Sequence, residues 1–492
     1  MKILVSGATG YVGSKLIPLL VEAGHEVTAM VRSESHRDSF TSLKIRVVIA
    51  NALQPETLVE AMQGVDAAYY LIHSMASTEE DFHQRDLRAA KNFAIAARQA
   101  GLRRIIYLGG LVSETSEVSK HLKSRQETGE TLRNFGPPLT EFRAGIIVGN
   151  GSISFEMIRC LTERLPVMIC PRWVVTRTQP ISIQDVLAYL LLALGSQKST
   201  GQVIEIGGAS IETYRSMMLT YARTRGLRRW LLRVPVLTPR LSSYWLRLVT
   251  PIPASIARPL IEGLRTEVVC KSNRAAQLFP AIRPVGYSVA VSETLDRKLP
   301  DDSFSSDLRN RAHHFFRRKD GVMCDVRQVM TNATPQQLFS VITQLGGSNG
   351  YLYANRLWRI RGLVDQWLGG AGMTPSLEYG SGRGSLLADD SFDFWYVQEI
   401  EADRRLVLRA AMKLPGRAWL EFTLSPEAGG QTRVRCCAWF EPRGLLGELY
   451  WWTLYPIHIL IFRGLVEAVC NKASKNGETS IAAHRGATSA TP

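Results

Sequence analysis

Residues 2–13 read Lys2-Ile3-Leu4-Val5-Ser6-Gly7-Ala8-Thr9-Gly10-Tyr11-Val12-Gly13. Ile3, Leu4 and Val5 form an unbroken apolar run, which suits a strand buried on both faces. A glycine-rich turn follows, and Ser14 to Ala23 then carries apolar residues at helical spacing. Strand, turn and helix in this order make a phosphate cradle. Gly7 permits the tight turn, Gly10 lets the backbone approach a pyrophosphate, and Gly13 lets the helix pack closely on the strand. Thr9, Tyr11 and Val12 complete the turn, and the N–H groups opening the helix face the anion. A glycine triplet alone says little; its place between strand and helix points to a dinucleotide.

Outward from this turn, His25 to Arg32 reads as a second strand ending in a cation. An acidic residue there would bind the ribose hydroxyls and favour NAD(H). Arg32, with Ser33 beside it and Arg37 nearby, instead suits a 2′-phosphate, so NADP(H) is the preferred cofactor. The bland alternative for Arg32 is a solvated loop arginine. A third strand, Ile45 to Ala50, runs into Asn51 and Ala52, where a side chain would reach the adenine. Residues 55–63 are helical in pattern, with Pro55 in the first turn. Residues 67–74 form a fourth strand whose end, Leu71, Ile72 and His73, lies beside the cofactor. His73 in such a place is more often a hydrogen-bonding strand end than a catalyst. A helical pattern over 82–100 closes at Gly101, and Arg104 to Leu108 is a fifth strand. Strands alternating with helices predict an α/β, Rossmann-type doubly wound parallel sheet.

The chain of 492 residues is 45% hydrophobic and 21% charged, and carries a net charge of +15. That composition supports a globular protein with an anionic partner: a dinucleotide, an acidic small molecule or a membrane surface. No nucleic-acid motif is present. The seven cysteines show no metal-ligand spacing, so no metal site is expected, and their odd number argues against a disulfide framework. The first strand begins at Lys2, leaving no room for a leader, and the charge-free run Leu449 to Phe462 is shorter than the ~20 residues of a membrane span. A cytoplasmic protein, at most peripheral to the membrane, is the expectation.

The stretches Gly7 to Gly13, the helix with Asn92, Tyr107-Leu108-Gly109-Gly110, Phe142 to Gly149, Gln179 to Val186 and Ile204 to Gly208 together resemble the short-chain dehydrogenase/reductase superfamily, in its extended and atypical branches. The resemblance covers about residues 1–298. Active members carry a serine after the fifth strand and a Tyr-x-x-x-Lys on the next helix. Here the best alignment puts His121 at the tyrosine and Arg125 at the lysine, with Gly110 at the serine and Ser113 as a partial substitute. Imidazole exchanges protons near neutral pH, so His121 is a candidate catalyst, although a nearby Arg125 would keep it mostly neutral. Arg125 would hold a ribose or phosphate as a fixed cation. Equally, this helix face would bind cofactor without chemistry, as in the NmrA-like regulators and the accessory subunit of respiratory complex I, which the chain also resembles. The functions implied are an NADP-dependent oxidoreductase acting on a carbonyl or hydroxyl of an apolar, anionic or lipid-like small molecule; a non-catalytic NADP-binding sensor or assembly factor; or a nucleotide-sugar epimerase-like isomerase.

Residues 150–298 carry the substrate-side elements, with helices over 151–165 and 184–194. Between Glu212 and Glu262 stand nine arginines, no lysine and no acidic residue, alternating with Trp230, Tyr244 and Trp245. They suit a carboxylate or phosphate, or form a solvated face. Residues 299–321 read as a linker. From Val322 follow a strand at 326–330, a helix at 334–342 with Thr334 as N-cap, a helix holding Trp358, Leu363 and Trp367, and strands at 392–400, 405–412, 417–424 and 432–440. A helix over 445–473, broken or kinked near Pro456, ends the domain at 475, and 476–492 reads as a disordered tail. This order resembles the α+β helix-grip fold of the START and polyketide-cyclase superfamily, which implies a ligand cavity between sheet and helix. Tyr450 to Tyr455 would line that cavity, sit at a membrane interface, or simply pack the core.

Overall fold

The computed structural model describes residues 1–73, 82–111, 120–233, 266–296, 314–319, 321–370, 372–373 and 386–487. The chain divides into two compact units, Met1–Arg309 and Asn310–Pro492.

In the first unit the strands are β1 (Lys2–Ser6), β2 (Glu26–Val31), β3 (Arg46–Ile49), β4 (Ala67–Tyr70), β5 (Arg104–Gly110), β6 (Leu139–Ala144), β7 (Ile147–Val148), β8 (Val167–Cys170), β9 (Arg177–Thr178), β10 (Ile181–Ser182), β11 (Val203–Ile206), β12 (Glu212–Thr213) and β13 (Trp230–Arg233). The helices are α1 (Gly13–Glu22), α2 (Pro55–Ala61), α3 (Phe82–Gln99), α4 (Lys120–Phe135), α5 (Ile153–Arg164), α6 (Ile183–Ala193), α7 (Tyr214–Thr224), α8 (Arg274–Leu278) and α9 (Tyr287–Leu295). Seven strands form one parallel sheet in the order β11-β6-β5-β4-β1-β2-β3. β1 is buried on both faces: Ile3 and Val5 pack with Leu16 and Ile17 of α1 and Leu190 of α6, whereas Leu4 packs with Ala90 and Phe93 of α3. That is why its apolar run does not alternate. Gly101 ends α3 with φ at +73°, and the Leu102 N–H reaches the Ala97 carbonyl at 3.0 Å, a C-cap only glycine adopts without strain. The chain leaves β1 toward β2 and β3, then crosses back to β4 on the other side. This reversal opens a crevice at the carboxyl ends of β1 and β4.

The second unit has strands β14 (His314–Lys319), β15 (Val322–Thr331), β16 (Ser391–Phe392), β17 (Trp395–Glu401), β18 (Arg405–Ala410), β19 (Gly416–Pro426) and β20 (Thr432–Pro442), and helices α10 (Pro335–Ile342), α11 (Asn355–Trp367) and α12 (Gly444–Ala487). Its sheet is antiparallel throughout, in the order β14-β15-β20-β19-β18-β17-β16. Ile461, Leu465, Val469 and Ala473, with Phe462, Val466 and Cys470, put one face of α12 against Leu420, Phe422, Val434 and Cys436 of the sheet. The second unit is thus a separate sheet closed by a long helix. Thr334 and Gln337 form the capping box that starts α10.

Four expectations change here. The linker expected over 299–321 contains β14, because Phe316 packs on Trp452 at 5.1 Å between ring centroids. The single strand expected over 392–400 is the hairpin β16–β17, turned at Asp393, whose φ is +49°. Pro456 does not break α12. The helical partner it gives up is the carbonyl of Trp452, and both residues lie on the exposed side of α12, where water can serve. Residues 476–487, expected to be disordered, continue that helix. Ala482, Ala483 and Ala487 favour it.

Candidate functional site

The glycine turn lies at the crevice. Gly7 has φ at +68°, and a Cβ there would stand 2.6 Å from the Leu71 carbonyl oxygen at the end of β4. A Cβ on Gly13 would collide with the Gly7 carbonyl oxygen, and the Gly10 N–H donates to that same oxygen at 2.9 Å. Thr9 and Gly10 are exposed at the tip, while Tyr11 and Val12 are half-buried. The Ser14 N–H donates to Gly10 at 3.0 Å, so the preceding N–H groups face outward with no acidic residue in the first turn of α1 to compete for them. These residues fit a dinucleotide pyrophosphate, because side chains on the glycines would fill the cradle.

Arg32 is exposed just beyond β2, and Ser33 shares a hydrogen bond of 2.7 Å with Ser35. Arg37 pairs with Glu34 at 2.9 Å, and Arg32 lies at the strand end where a 2′-phosphate is expected. The Asn51 carboxamide oxygen accepts from the Leu53 N–H at 3.1 Å, and Asn92 donates to the Ala52 carbonyl at 3.0 Å. Together they shape the loop expected near the adenine. Leu71 and Ile72 press on the back of Gly7.

His73 and Arg125 meet at the ends of β4 and β5. His73 Nδ1 lies 3.3 Å from Asp86 of α3. Burial, reinforced by the Arg125 charge, lowers the His73 pKa, so the ring is neutral at pH 7 and its Nδ1–H donates to Asp86. Asp86 was not legible in the sequence; the signal was an acid on the inward face of α3. Arg125 is tied to β5 three ways. Its guanidinium donates to the Leu108 carbonyl, it lies over the Tyr107 ring at 5.5 Å, and its own carbonyl accepts from the Tyr107 hydroxyl at 2.9 Å. Burial pushes the Tyr107 phenol up to about 12, and with its hydroxyl bound to backbone it does not stand in for the missing catalytic tyrosine. Gly110 has a packing reason: a Cβ there would lie 3.1 Å from Leu122 of α4. His121 sits on α4 one turn before Arg125, and its side chain lies outside the described residues, as do Ser113 and Ser119.

On the substrate side, Gln179 joins two segments, donating to the Gly208 carbonyl at 2.8 Å and accepting from the Cys270 N–H at 3.0 Å. Part of the arginine-rich stretch is internal: Arg225 pairs with Glu163 at 2.7 Å, and Arg229 donates to the Glu163 carbonyl at 3.0 Å. Arg240, Arg247 and Arg258 lie outside the described residues. No cluster that would hold a metal occurs among the described residues.

Residues 7–135 match a family model described as NAD(P)H-binding, and residues 319–465 match a family of unknown function, DUF2867. A farnesyl-dihydroquinoline-oxide ketoreductase of Stigmatella aurantiaca is 30% identical over 22% of this chain and 33% of its own length. The photosystem II assembly factor Ycf39 of Cyanophora paradoxa is 22% identical over 48% of this chain and 72% of its own. Among solved structures, the NADPH-dependent quinone oxidoreductase QOR2 of Escherichia coli, complexed with NADPH, matches with a TM-score of 0.50 at 20% identity, covering 60% of this chain and all (100%) of that one. At that identity the likeness speaks to the fold. The chain spans about a third of the length of the first curated relatives (33%, 31% and 32%). The first unit therefore carries an NAD(P)H-binding match over residues 7–135 on a doubly wound parallel sheet of the kind seen in QOR2, has reductases among the proteins it resembles, and is joined to a separate sheet-and-helix domain.

Proposed function

We propose that this protein is an NADP(H)-dependent reductase acting on a carbonyl-type group of an apolar, anionic small molecule. The observation that carries the reading is the cradle at Gly7, Gly10 and Gly13 with Arg32 at the end of β2. A cation rather than an acid at that strand end supports NADP(H) over NAD(H). Bound there, the cofactor supplies a hydride. The residues of the chain do the rest. Gly7 to Gly13 hold the pyrophosphate, Arg32 and Ser33 the 2′-phosphate, and Asn51 and Ala52 the adenine side. Burial and the Arg125 charge keep His73 neutral, Asp86 orients it at the crevice wall, and His121, one turn before Arg125, delivers the proton. The second unit, with its antiparallel sheet closed by α12, supports a helix-grip, START-like ligand-binding role. A cytoplasmic location and a small-molecule partner, with no nucleic acid, belong to the same reading.

A second reading has an observation in its favour. Arg125 stands where active enzymes carry the ribose-gripping lysine, yet its guanidinium is turned to the Leu108 carbonyl of β5. That favours a non-catalytic NADP-binding sensor or assembly factor, and one relative is named as an assembly factor. The epimerase-like reading has no comparable support. The test is NADPH consumption over a panel of aldehydes, ketones and quinones, with His121→Ala as control. Turnover lost in that variant supports the reductase with His121 as donor. Unchanged turnover would remove His121 from the mechanism. Tight NADPH binding with no turnover across the panel would leave the sensor.

A further inference from the structure

The helix α11 is built inside out. Its buried residues are Trp358, Gly362 and Asp365. Asp365 is fully buried and accepts from the backbone N–H groups of Lys413 at 2.7 Å and Gly372 at 3.0 Å, which fastens the end of the helix. Its outward side carries Ile360, Leu363, Val364 and Trp367, and Trp367 is 86% exposed. An apolar row at i, i+3, i+4 and i+7 turned toward solvent is the reverse of an ordinary surface helix.

The neighbouring helix repeats the pattern. α11 meets α12 where Trp358 lies 6.3 Å from Phe462 between ring centroids, and Arg361 faces Tyr450. Trp451, Ile461 and Phe462 of α12 face inward, while Leu446, Leu449, Trp452 and Leu460 are exposed. No charged residue occurs between Glu448 and Arg463. Exposed cations edge these rows: Arg356 and Arg359 on α11, and Lys413, whose Nζ would lie 3.1 Å from a Cβ on Gly369 just past it. The acid nearest the start of the row, Glu448, is neutralised by Arg318 at 2.6 Å. Within α12, Gly444–Asn476 is long and apolar enough to cross a membrane by length and composition. One face of its second half, Ile461 to Ala473, packs on the sheet, so that part of the helix is not free to cross a bilayer.

We propose that the outward faces of α11 and the first half of α12 dock on an anionic lipid bilayer, with Trp367 and Trp452 at the headgroup level. Apolar rows carrying tryptophan, edged by arginine and lysine and, among the described residues, with Glu448 paired to Arg318, match that surface in both hydrophobicity and charge. A protein partner would not require a rim of one sign. This inference is independent of the cofactor chemistry.

The test is flotation of the full chain with vesicles of phosphatidylcholine alone and of phosphatidylcholine with phosphatidylglycerol. Binding to the anionic vesicles is expected, with a blue shift of tryptophan emission and weakening in high salt. The double variant Leu363→Glu/Trp367→Glu should bind at least about tenfold more weakly, with NADPH affinity and thermal melting unchanged because the altered residues are solvent-exposed. Arg356→Glu/Arg359→Glu should weaken binding to anionic vesicles and restore none by added salt. No vesicle binding by the wild type, or wild-type binding by both variants, would overturn the proposal. So would a dimer in solution that the Leu363→Glu/Trp367→Glu variant converts to monomer without vesicle binding by either, since the face would then seat a second copy of this chain.

Discussion

Gly13 stands directly over Gly7, so close that a Cβ on Gly13 would strike the Gly7 carbonyl oxygen. That oxygen also accepts the Gly10 N–H, so one carbonyl sets the shape of the whole turn. Gly13→Ala must displace it and open the cradle. The expected result is an NADPH dissociation constant raised about tenfold to a hundredfold, from ~1–3 kcal/mol of overpacking, measured by tryptophan quenching. Gly64→Ala is the control: φ there is positive, at +69°, so the backbone is strained, but a Cβ would meet nothing within 4 Å. It should lower the melting temperature slightly and leave NADPH binding alone.

Arg32 makes the cofactor preference testable. Arg32→Asp replaces the cation with the acid that suits ribose hydroxyls. NADPH affinity should fall about tenfold to a hundredfold, the ~1.5–3 kcal/mol of a charge-assisted hydrogen bond, with NADH affinity unchanged or improved. Equal losses for both cofactors would remove Arg32 from phosphate recognition.

What could be read in advance followed the strength of local signals. β1 and α1 were legible because a strand buried on both faces shows an unbroken apolar run, and Gly101 because only a left-handed C-cap calls for it there. β14 was hidden, since its basic residues look like a linker until Phe316 meets Trp452 of a helix far along the chain. The β16–β17 hairpin was hidden because Asp393 makes the turn without a glycine or proline to mark it. At the site, Gly110 looked like a lost serine, but its neighbour Leu122 shows that it is where α4 approaches β5. The His73–Asp86 contact joins two elements through the tertiary fold, and no spacing in the sequence announces it.

Glu141 of β6 is 1% exposed and holds two arginines, Arg143 at 2.6 Å and Arg133. A Cβ on Gly129 of α4 would come within 2.8 Å of its carboxylate, so the helix is hollowed to admit the ion pair. Glu141→Gln removes the buried charge, while Arg143 and the exposed Arg133 keep access to water. The expected loss is about 1–3 kcal/mol of stability, read from urea unfolding of the full chain. Gly129→Ala should destabilise through the same carboxylate by overpacking, so the double variant should lose less than the sum of the two. Strict additivity would sink the coupling.

His458 lies on the inward face of α12, with Trp451 at 5.2 Å and Phe462 at 5.5 Å between ring centroids. Burial, and then the Arg361 charge, lowers its pKa from 6.5 to about 4. Between those values the unfolded chain holds a proton that the folded chain rejects, so this residue costs stability as the pH falls from 6.5 and stops costing more below about 4. The full penalty is about 3 kcal/mol. His458→Phe keeps the aromatic packing and removes the titration. Seven of the ten tryptophans lie at or beyond Trp358, so tryptophan emission during urea unfolding reports on this unit. Above pH 7 the difference in stability between wild type and variant should be constant. Below pH 6.5 it should move steadily in favour of the variant, by about 1.4 kcal/mol per pH unit at its steepest. Parallel pH profiles for the two proteins would show that the imidazole is not held neutral by its surroundings.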